Sequence, residues 1–427
     1  MSSSVAASQI LRVLRRDPAF WVPAADIFAV LTALALPWST SLVAIFVLCW
    51  LGSVALTMDY RVFAQSLKHP MCFLPFALVG LALLGMLWSD APWNERLYAV
   101  GPTLKFLVLP GLFYHFERSA RGMWVLVAFL VSCTLMMVMS FIVVLDPSLT
   151  PKPKGEETCG IFVKNYIDQG QEFSLCILAL AYPVMMLLRE KKWLVAAVLV
   201  PIMLGFVANM VFVISSRTSL ATMPILLLLF GLRYLPWRSV AVLSAVIAIV
   251  GSAWAVSPRI CRTADTFSRD IELYQKSNIP TSAGLRLEFW KKSLQFIGEA
   301  PVMGHGTGSI RGLFERAAVG TATGASAVAS AQVIGNPHNQ TLNVAVQWGA
   351  IGTIVLYAMW LAHLLIFRAD GPIAWIGFLV VVQNILTSLF NSHMFDFHEG
   401  WIYVLGVGVT GGMTLAAGPA STKTALP

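Results

Sequence analysis

The sequence predicts an all-α polytopic membrane protein with about twelve transmembrane helices, and three observations lead there. Of its 427 residues 57% are hydrophobic and only 12% charged, whereas a soluble chain carries about a quarter charged residues. Apolar runs recur from end to end at close to the ~20 residues that cross a ~30 Å hydrocarbon core. The basic residues between these runs are abundant in every second connection and sparse in the others, the pattern left by loops on opposite sides of a membrane.

In chain order the spans are 22–38, 41–58, 71–88, 97–114, 122–145, 171–188, 193–214, 217–232, 238–256, 339–367, 373–391 and 399–417. The first follows Arg12, Arg15 and Arg16 and contains 33-ALALPWS-39, which also reads as a cleavable signal peptide; the many later spans favour an uncleaved first helix. With the N-terminus in the cytoplasm, fourteen basic residues flank the spans on that side, among them Arg61, Arg118, Arg189, Arg233 and Arg368. The short loops opposite hold Arg96, Lys152, Lys154, Lys164 and Arg217, and Lys105 lies within a span. The remaining basic residues fall in one long extracytoplasmic loop, and loops of that length translocate regardless of charge. The chain thus divides into helices 1–9 over 1–256, a periplasmic loop or subdomain over 257–338, and helices 10–12 with a short cytoplasmic tail over 339–427. The cytoplasmic loops are short, so the protein's work is expected in the bilayer or on its far side.

Within the long loop, 284-GLRLEFWKKSLQFIGEA-300 reads as an amphipathic helix able to lie on a membrane surface. Leu287, Trp290, Leu294 and Ile297 recur on one face, with Lys291, Lys292 and Gln295 on another. A Pro/Gly-rich turn, 301-PVMGHGTGSI-310, follows, and then 317-AAVGTATGASAVASAQ-332, without charge or helical period, reads as a flexible flap. Four cysteines, Cys49, Cys72, Cys133 and Cys176, sit in apolar spans as small hydrophobes. Cys159 and Cys261 are the two in extracytoplasmic loops and form a candidate disulfide in an oxidising compartment.

Three polar residues stand where apolar helices meet the extracytoplasmic face. Arg217, in 213-VISSRTSL-220, follows two serines that can cap the next helix. That places it in a first turn, where the helix dipole disfavours a cation by ~0.3–1 kcal/mol. It is either an arginine snorkelling to headgroups or one held there for an anionic ligand. Arg286 offers a planar fork suited to phosphate, as do Arg259, Arg262, Arg269, Arg311 and Arg316 in the same loop. His338 follows Asn336, a good N-cap, and Pro337, a good first helical residue, so it is expected in the first turn of the tenth span. There the dipole favours the neutral imidazole of a general base, while the bland reading is a histidine satisfied by the capping asparagines. Asn339 and Asn343, spaced i, i+4, put two more polar groups on one face of that helix.

Other groupings are weaker. The loop 391-NSHMFDFHEG-400 collects His393, Asp396, His398 and Glu399, but their spacing matches no helical two-ligand metal pattern, and no metal is assigned. Asp270 and Glu272 read as solvated surface and His305 as a turn residue. No P-loop, nucleophile elbow or dinucleotide fingerprint is present, so nucleotide-driven and nicotinamide chemistry have no support and no cofactor is expected.

With these residues placed, the chain resembles the O-antigen ligase and polymerase superfamily of bacterial membrane glycosyltransferases, and within it the O-antigen ligases. The resemblance rests on the spans with one long loop before the tenth and on three motif regions. These are the arginine of 215-SSRTSL-220; 284-GLRLEFWKKSLQFIGEAPVMGHGTGSI-310, similar to G-x-R…W…P-x-x-G-x-G; and 337-PHNQTLNVAVQWGAIG-352, similar to H-N-x-x-L…G…G. The Ala/Gly-rich insert 317–332 departs from the pattern.

The resemblance implies a GT-C-like, inverting, metal-independent glycosyltransferase of the inner membrane with its site facing the periplasm. Its donor would be O-antigen on undecaprenyl pyrophosphate and its acceptor the lipid A–core oligosaccharide, with no nucleic-acid partner. His338 would be the base, Arg217 and Arg286 the pyrophosphate clamp, and Asn336, Asn339 and Asn343 the support. O-antigen polymerase and protein O-oligosaccharyltransferase use the same donor and remain alternatives. A lipid-linked oligosaccharide transporter is the rival of another class; the sequence shows neither two-half symmetry nor charged residues deep in several helices.

Overall fold

In the computed structural model, which describes residues 18–151, 160–214, 216–245, 282–319 and 333–418, the described residues are helices, 3₁₀ turns and connections. In chain order the helices are α1 (Pro18–Ala35), α2 (Thr40–Thr57), α3 (Tyr60–Ser66), α4 (Pro70–Leu84), α5 (Trp93–Val100), α6 (Val108–Phe116), α7 (Gly122–Leu145) and α8 (Tyr166–Arg189). They continue with α9 (Trp193–Phe212), α10 (Arg217–Tyr234), α11 (237–245), α12 (Ser282–Glu299), α13 (Ser309–Val319), α14 (Gln340–Ile366), α15 (Pro372–Thr387) and α16 (Phe397–Ala417).

Every predicted span overlaps helix. Among the described residues eight helical stretches are long and apolar enough to cross a membrane, nine if α3 and α4, which meet at 87°, form one span. Ala221–Tyr234 and Pro372–Thr387 are shorter apolar helices, and α11 covers the start of the predicted span 238–256, whose remainder lies outside the described residues. The protein is therefore a polytopic α-helical membrane protein. Large apolar side chains such as Leu48, Leu194 and Ile354 point outward, each at least 67% exposed, as expected where hydrocarbon rather than water is the solvent.

Polar capping residues punctuate the oily chain. Ser39 accepts from the Leu42 amide ahead of α2, and Asp59 accepts from Arg61 and Val62 ahead of α3. The span Trp93–Phe116 is broken by a 3₁₀ stretch, Gly101–Leu107, with Pro102 in its first turn. Helix α8 starts five residues before its predicted span, at Tyr166, because Asn165 caps it through the Ile167 and Asp168 amides and carries the polar run 166-YIDQGQE-172 into the helix. Charged residues do therefore sit buried within several span helices, contrary to expectation: Asp26, Lys105, Asp168, Glu172 and Glu399. Asp168 stands in a turn of α8 outside the predicted span, the other four fall inside predicted spans, and most of the five are paired.

The described part of the long loop packs onto α14. Phe289 and Phe296 of α12 join Ile310, Leu313 and Phe314 of α13 and Val346 of α14 in one small core. The buried face of α12 is thus not the expected one: Leu287 and Leu294 point out at 49% and 62% exposure, while Lys292 and Ser293 are buried. The aromatics won the interior, leaving the leucines for an apolar surrounding. Helix α13 extends through Val319, into the predicted flap; 320–332, like Cys159, Cys261, Arg259, Arg262, Arg269, Asp270 and Glu272, lies outside the described residues. The four span cysteines are free thiols.

Two helix-breaking features meet at one joint. Helix α14 carries Gly349 at φ 59°, ψ −149°, a region open essentially only to glycine. Into this break fits the turn 301–308: the His305 and Gly306 amides donate to the Val346 and Gln347 carbonyls at 2.9 and 2.8 Å, and the Ala350 amide donates to Pro301 at 2.8 Å. The approach is so close that a Cβ on Gly304 would lie 2.5 Å from the Gln347 backbone, and one on Gly349 2.4 Å from that of Val302. The P-x-x-G-x-G and G…G motifs are therefore two halves of one structural joint.

Candidate functional site

At the end of the bundle where α14 begins, the chain approaches through 333–339 and is held by the α15–α16 connection. The Gln340 amide donates to the Ser388 carbonyl at 2.9 Å, Asn339 Nδ2 to Leu389 O at 3.1 Å, and the Met394 amide to Gln340 Oε1 at 3.1 Å. His338 sits in this seam.

Its local structure differs from the sequence expectation. The N-cap is Asn339, which accepts from the Leu342 amide at 3.1 Å, so His338 precedes the helix rather than opening it, and Asn336 and Pro337 are not its cap and first residue. His338 has φ 54°, the left-handed region, a conformation that costs a non-glycine residue of the order of 1–3 kcal/mol and persists where surroundings over-determine it. Here Asn336 Oδ1 accepts the His338 amide at 2.9 Å and the Ser392 hydroxyl at 2.7 Å, which locks the turn. Asn339 and Asn343 do not form one polar face: Asn339 is spent on the cap and on Leu389, while Asn343 is buried and its Oδ1 accepts Gln347 Nε2 at 2.7 Å. Gln347 in turn accepts the Gly308 amide at 2.9 Å, so Asn343 serves the joint.

The half-buried His338 ring lies against Phe289, with centroids 6.3 Å apart and planes at 32°. Its Nδ1 is 2.9 Å from Asn391 Oδ1. Burial, first, and then the nearby charge of Arg286 lower its pKa from the usual histidine value, opposed by the bond to Asn391. The neutral imidazole is thus favoured, but through desolvation rather than through a helix dipole.

Of the described loop arginines, Arg286 on α12 is the one brought into electrostatic reach of His338. Arg311 instead lies 3.0 Å from Glu315 Oε1 and 4.0 Å from that of Glu95. Arg217 is the first residue of α10, and Ser216 caps that helix by accepting the Ser219 amide, as the sequence indicated. This end of α10 abuts α8, where a Cβ on Gly170 would come within 2.8 Å of Ser216, and α8 begins at the same end of the bundle as α14.

Beside the histidine lies a polar cluster that only the fold assembles. Asn391 Nδ2 donates to Asp396 Oδ2 at 2.7 Å, and His393 Nδ1 lies 3.2 Å from Asp396 Oδ2 and 3.4 Å from Glu399 Oε1. Gln171 Nε2 donates to Glu399 at 3.3 Å, Lys105 to the Asp396 carbonyl, and Lys164 contacts Leu36 O and His398 Nδ1. His393, Asp396 and Glu399 offer ligand atoms all within 4.8 Å of one another, so three residues whose spacing fits no helical metal motif are nevertheless drawn together. The sequence reading missed Asn391, Gln171 and Glu172; an ionisable residue in an apolar span is by default a functional candidate, and that rule alone would have flagged Glu172, which lies inside the predicted span 171–188. An apolar groove of ≈ 540 Å³, lined by Leu36 and by residues of α7, α8, α9, α15 and α16, opens in the bundle.

No curated protein matches the chain significantly. Residues 202–357, which include Arg217, Arg286 and His338, match the family model Wzy_C, O-antigen ligase, and over this segment the chain is similar to that family.

Proposed function

We propose that the protein is an inverting, metal-independent glycosyltransferase that moves O-antigen polysaccharide from undecaprenyl pyrophosphate to the lipid A–core oligosaccharide at the periplasmic face of the inner membrane. The observation that carries the reading is His338, locked in a left-handed turn and held below its usual pKa by burial, with Arg286 in electrostatic reach. In the reaction an acceptor hydroxyl attacks the donor's anomeric carbon as the imidazole takes its proton. The new C–O bond forms while the bond to the pyrophosphate breaks, and the bonding pair leaves on the pyrophosphate oxygen. Arg286 and Arg217 supply positive charge where that anion develops, which is electrostatic stabilisation of the kind worth most away from water. A single displacement inverts the anomeric centre. The apolar groove suits the donor's polyprenyl chain, and Asn336 and Asn339 support the histidine turn.

The buried charges around Glu399 favour one second reading, a lipid-linked oligosaccharide transporter. Reconstitution of the purified protein with lipid-linked O-antigen and lipid A–core decides between them. A product of joined mass supports ligase, chain extension without core means polymerase, and donor crossing the bilayer without bond formation means transport. His338→Ala is expected to abolish product while the protein still elutes and melts as wild type; normal turnover removes the base assignment.

A further inference from the structure

The neutral imidazole has two forms, and which nitrogen carries the proton decides whether His338 has a base to present. That choice is made by the hydrogen bond at the other nitrogen, and the partner at Nδ1 is the Asn391 amide, 2.9 Å away through Oδ1. An amide can present either its oxygen or its nitrogen, so the surrounding network has to assign it. Two independent anchors do. Asn391 Nδ2 lies 2.7 Å from Asp396 Oδ2, and a carboxylate only accepts. On the other side Asn391 Oδ1 receives Asn336 Nδ2 at 3.0 Å. The Asn336 amide is itself fixed, because its Oδ1 accepts the backbone amide of His338, which only donates. Reversing Asn391 would set oxygen against carboxylate oxygen and N–H against N–H.

On the reading of His338 as the base, we propose that Asn391 is its positioning residue. Its carbonyl oxygen, aimed by Asp396 and Asn336, holds the imidazole as the Nδ1–H tautomer and leaves the Nε2 lone pair for the acceptor hydroxyl. When the proton arrives at Nε2 the ring becomes an imidazolium still bonded to a neutral amide oxygen. The charged and titratable groups facing it are Arg286 from α12 and Asp396 and His393 from the α15–α16 connection. A neutral partner leaves the imidazolium weakly stabilised, so the proton is readily passed on.

The test uses the full-length protein reconstituted with lipid-linked donor and lipid A–core, comparing wild type, Asn391→Leu and the exchange Asn391→Asp with Asp396→Asn. Asn391→Leu removes the acceptor at Nδ1, and kcat is expected to fall by about 10²–10⁴-fold, the share a general base contributes, with donor KM little changed. The exchange keeps an oxygen at Nδ1 whichever way the new side chain turns. It is expected to recover most of the lost kcat and to move the acid limb of the pH profile upward, because a carboxylate now faces the imidazolium. Wild-type kcat in Asn391→Leu, or an exchange with unmoved acid limb, overturns the proposal. If Asn391→Leu fails to fold, the pH shift of the exchange decides alone. A His338→Ala variant run alongside separates the two levels: activity in His338→Ala removes the base itself, whereas a dead His338→Ala with a wild-type Asn391→Leu removes only the role of Asn391.

Discussion

Substituting Gly349 by alanine tests the joint that carries the site. The residue sits at φ 59°, ψ −149°, and placing a side chain there costs about 1–3 kcal/mol in backbone strain. The added methyl would lie 2.4 Å from both the Val302 carbonyl carbon and oxygen and 2.7 Å from the Gly304 amide. These are backbone atoms, which cannot turn aside, so the turn 301–308 has to move, at a further ~1–3 kcal/mol by the scale of overpacked cores. The expected destabilisation is therefore about 2–6 kcal/mol. Gly298→Ala is the control: it lies in α12, where an added methyl would meet nothing within 4 Å, and is expected to be neutral or stabilising by up to ~1 kcal/mol. Thermal unfolding of both variants in the same detergent, followed by size-exclusion chromatography, reads the difference. A Gly349→Ala protein that melts with Gly298→Ala refutes the joint.

Three further outcomes follow from the site. A base acts when unprotonated, and burial holds His338 below the usual ~6.5, so kcat is expected to persist below that pH and to fall only as pH drops through the lowered value; an acid limb above ~6.5 contradicts this. Arg286→Ala is expected to weaken donor binding and also raise that limb, since a cation that opposes protonation is gone, whereas Arg311→Ala, already engaged with Glu315, is expected to leave both unchanged. Transfer is expected to survive exhaustive chelation; loss that divalent ions restore would assign His393, Asp396 and Glu399 as ligands.

The spans were legible because the bilayer imposes one length on every crossing helix and hydropathy reads it directly: 122–145 and the start of 193–214 coincide with α7 and α9. Arg217 in the first turn of α10 was legible because its Ser216 cap is a neighbour in sequence. What failed depended on distant partners. His338 lies outside the helix because Asn336 ties its amide and Asn339 takes the cap, a competition between asparagines three positions apart that local preference cannot rank. Asn391 was invisible because its value comes from His338, 53 positions away. Lys105 and Lys164 looked like a stray and a loop charge until contacts 291 and 234 positions off were made.

The geometry of the joint also explains how residues 52 positions apart, Arg286 and His338, come within electrostatic reach of each other. Helix α12 and the first part of α14 form two legs that meet where the turn 301–308 enters the break at Gly349. Between Phe289 and Glu299, where α12 ends, lie ten helical steps, and between Gln340, where α14 begins, and Gly349 nine; at ~1.5 Å per residue the legs are about 15 and 14 Å long. Legs of near-equal length from a common vertex return to the same height, and Phe289 does meet the His338 ring at 6.3 Å. Arg286, one turn before Phe289, is thereby carried to the level of the histidine. An inserted residue in either leg would rotate its tip by about 100° and lift it by ~1.5 Å. The spacing between arginine and glycine motif, and between glycine motif and histidine, is therefore a mechanical requirement of the proposed clamp.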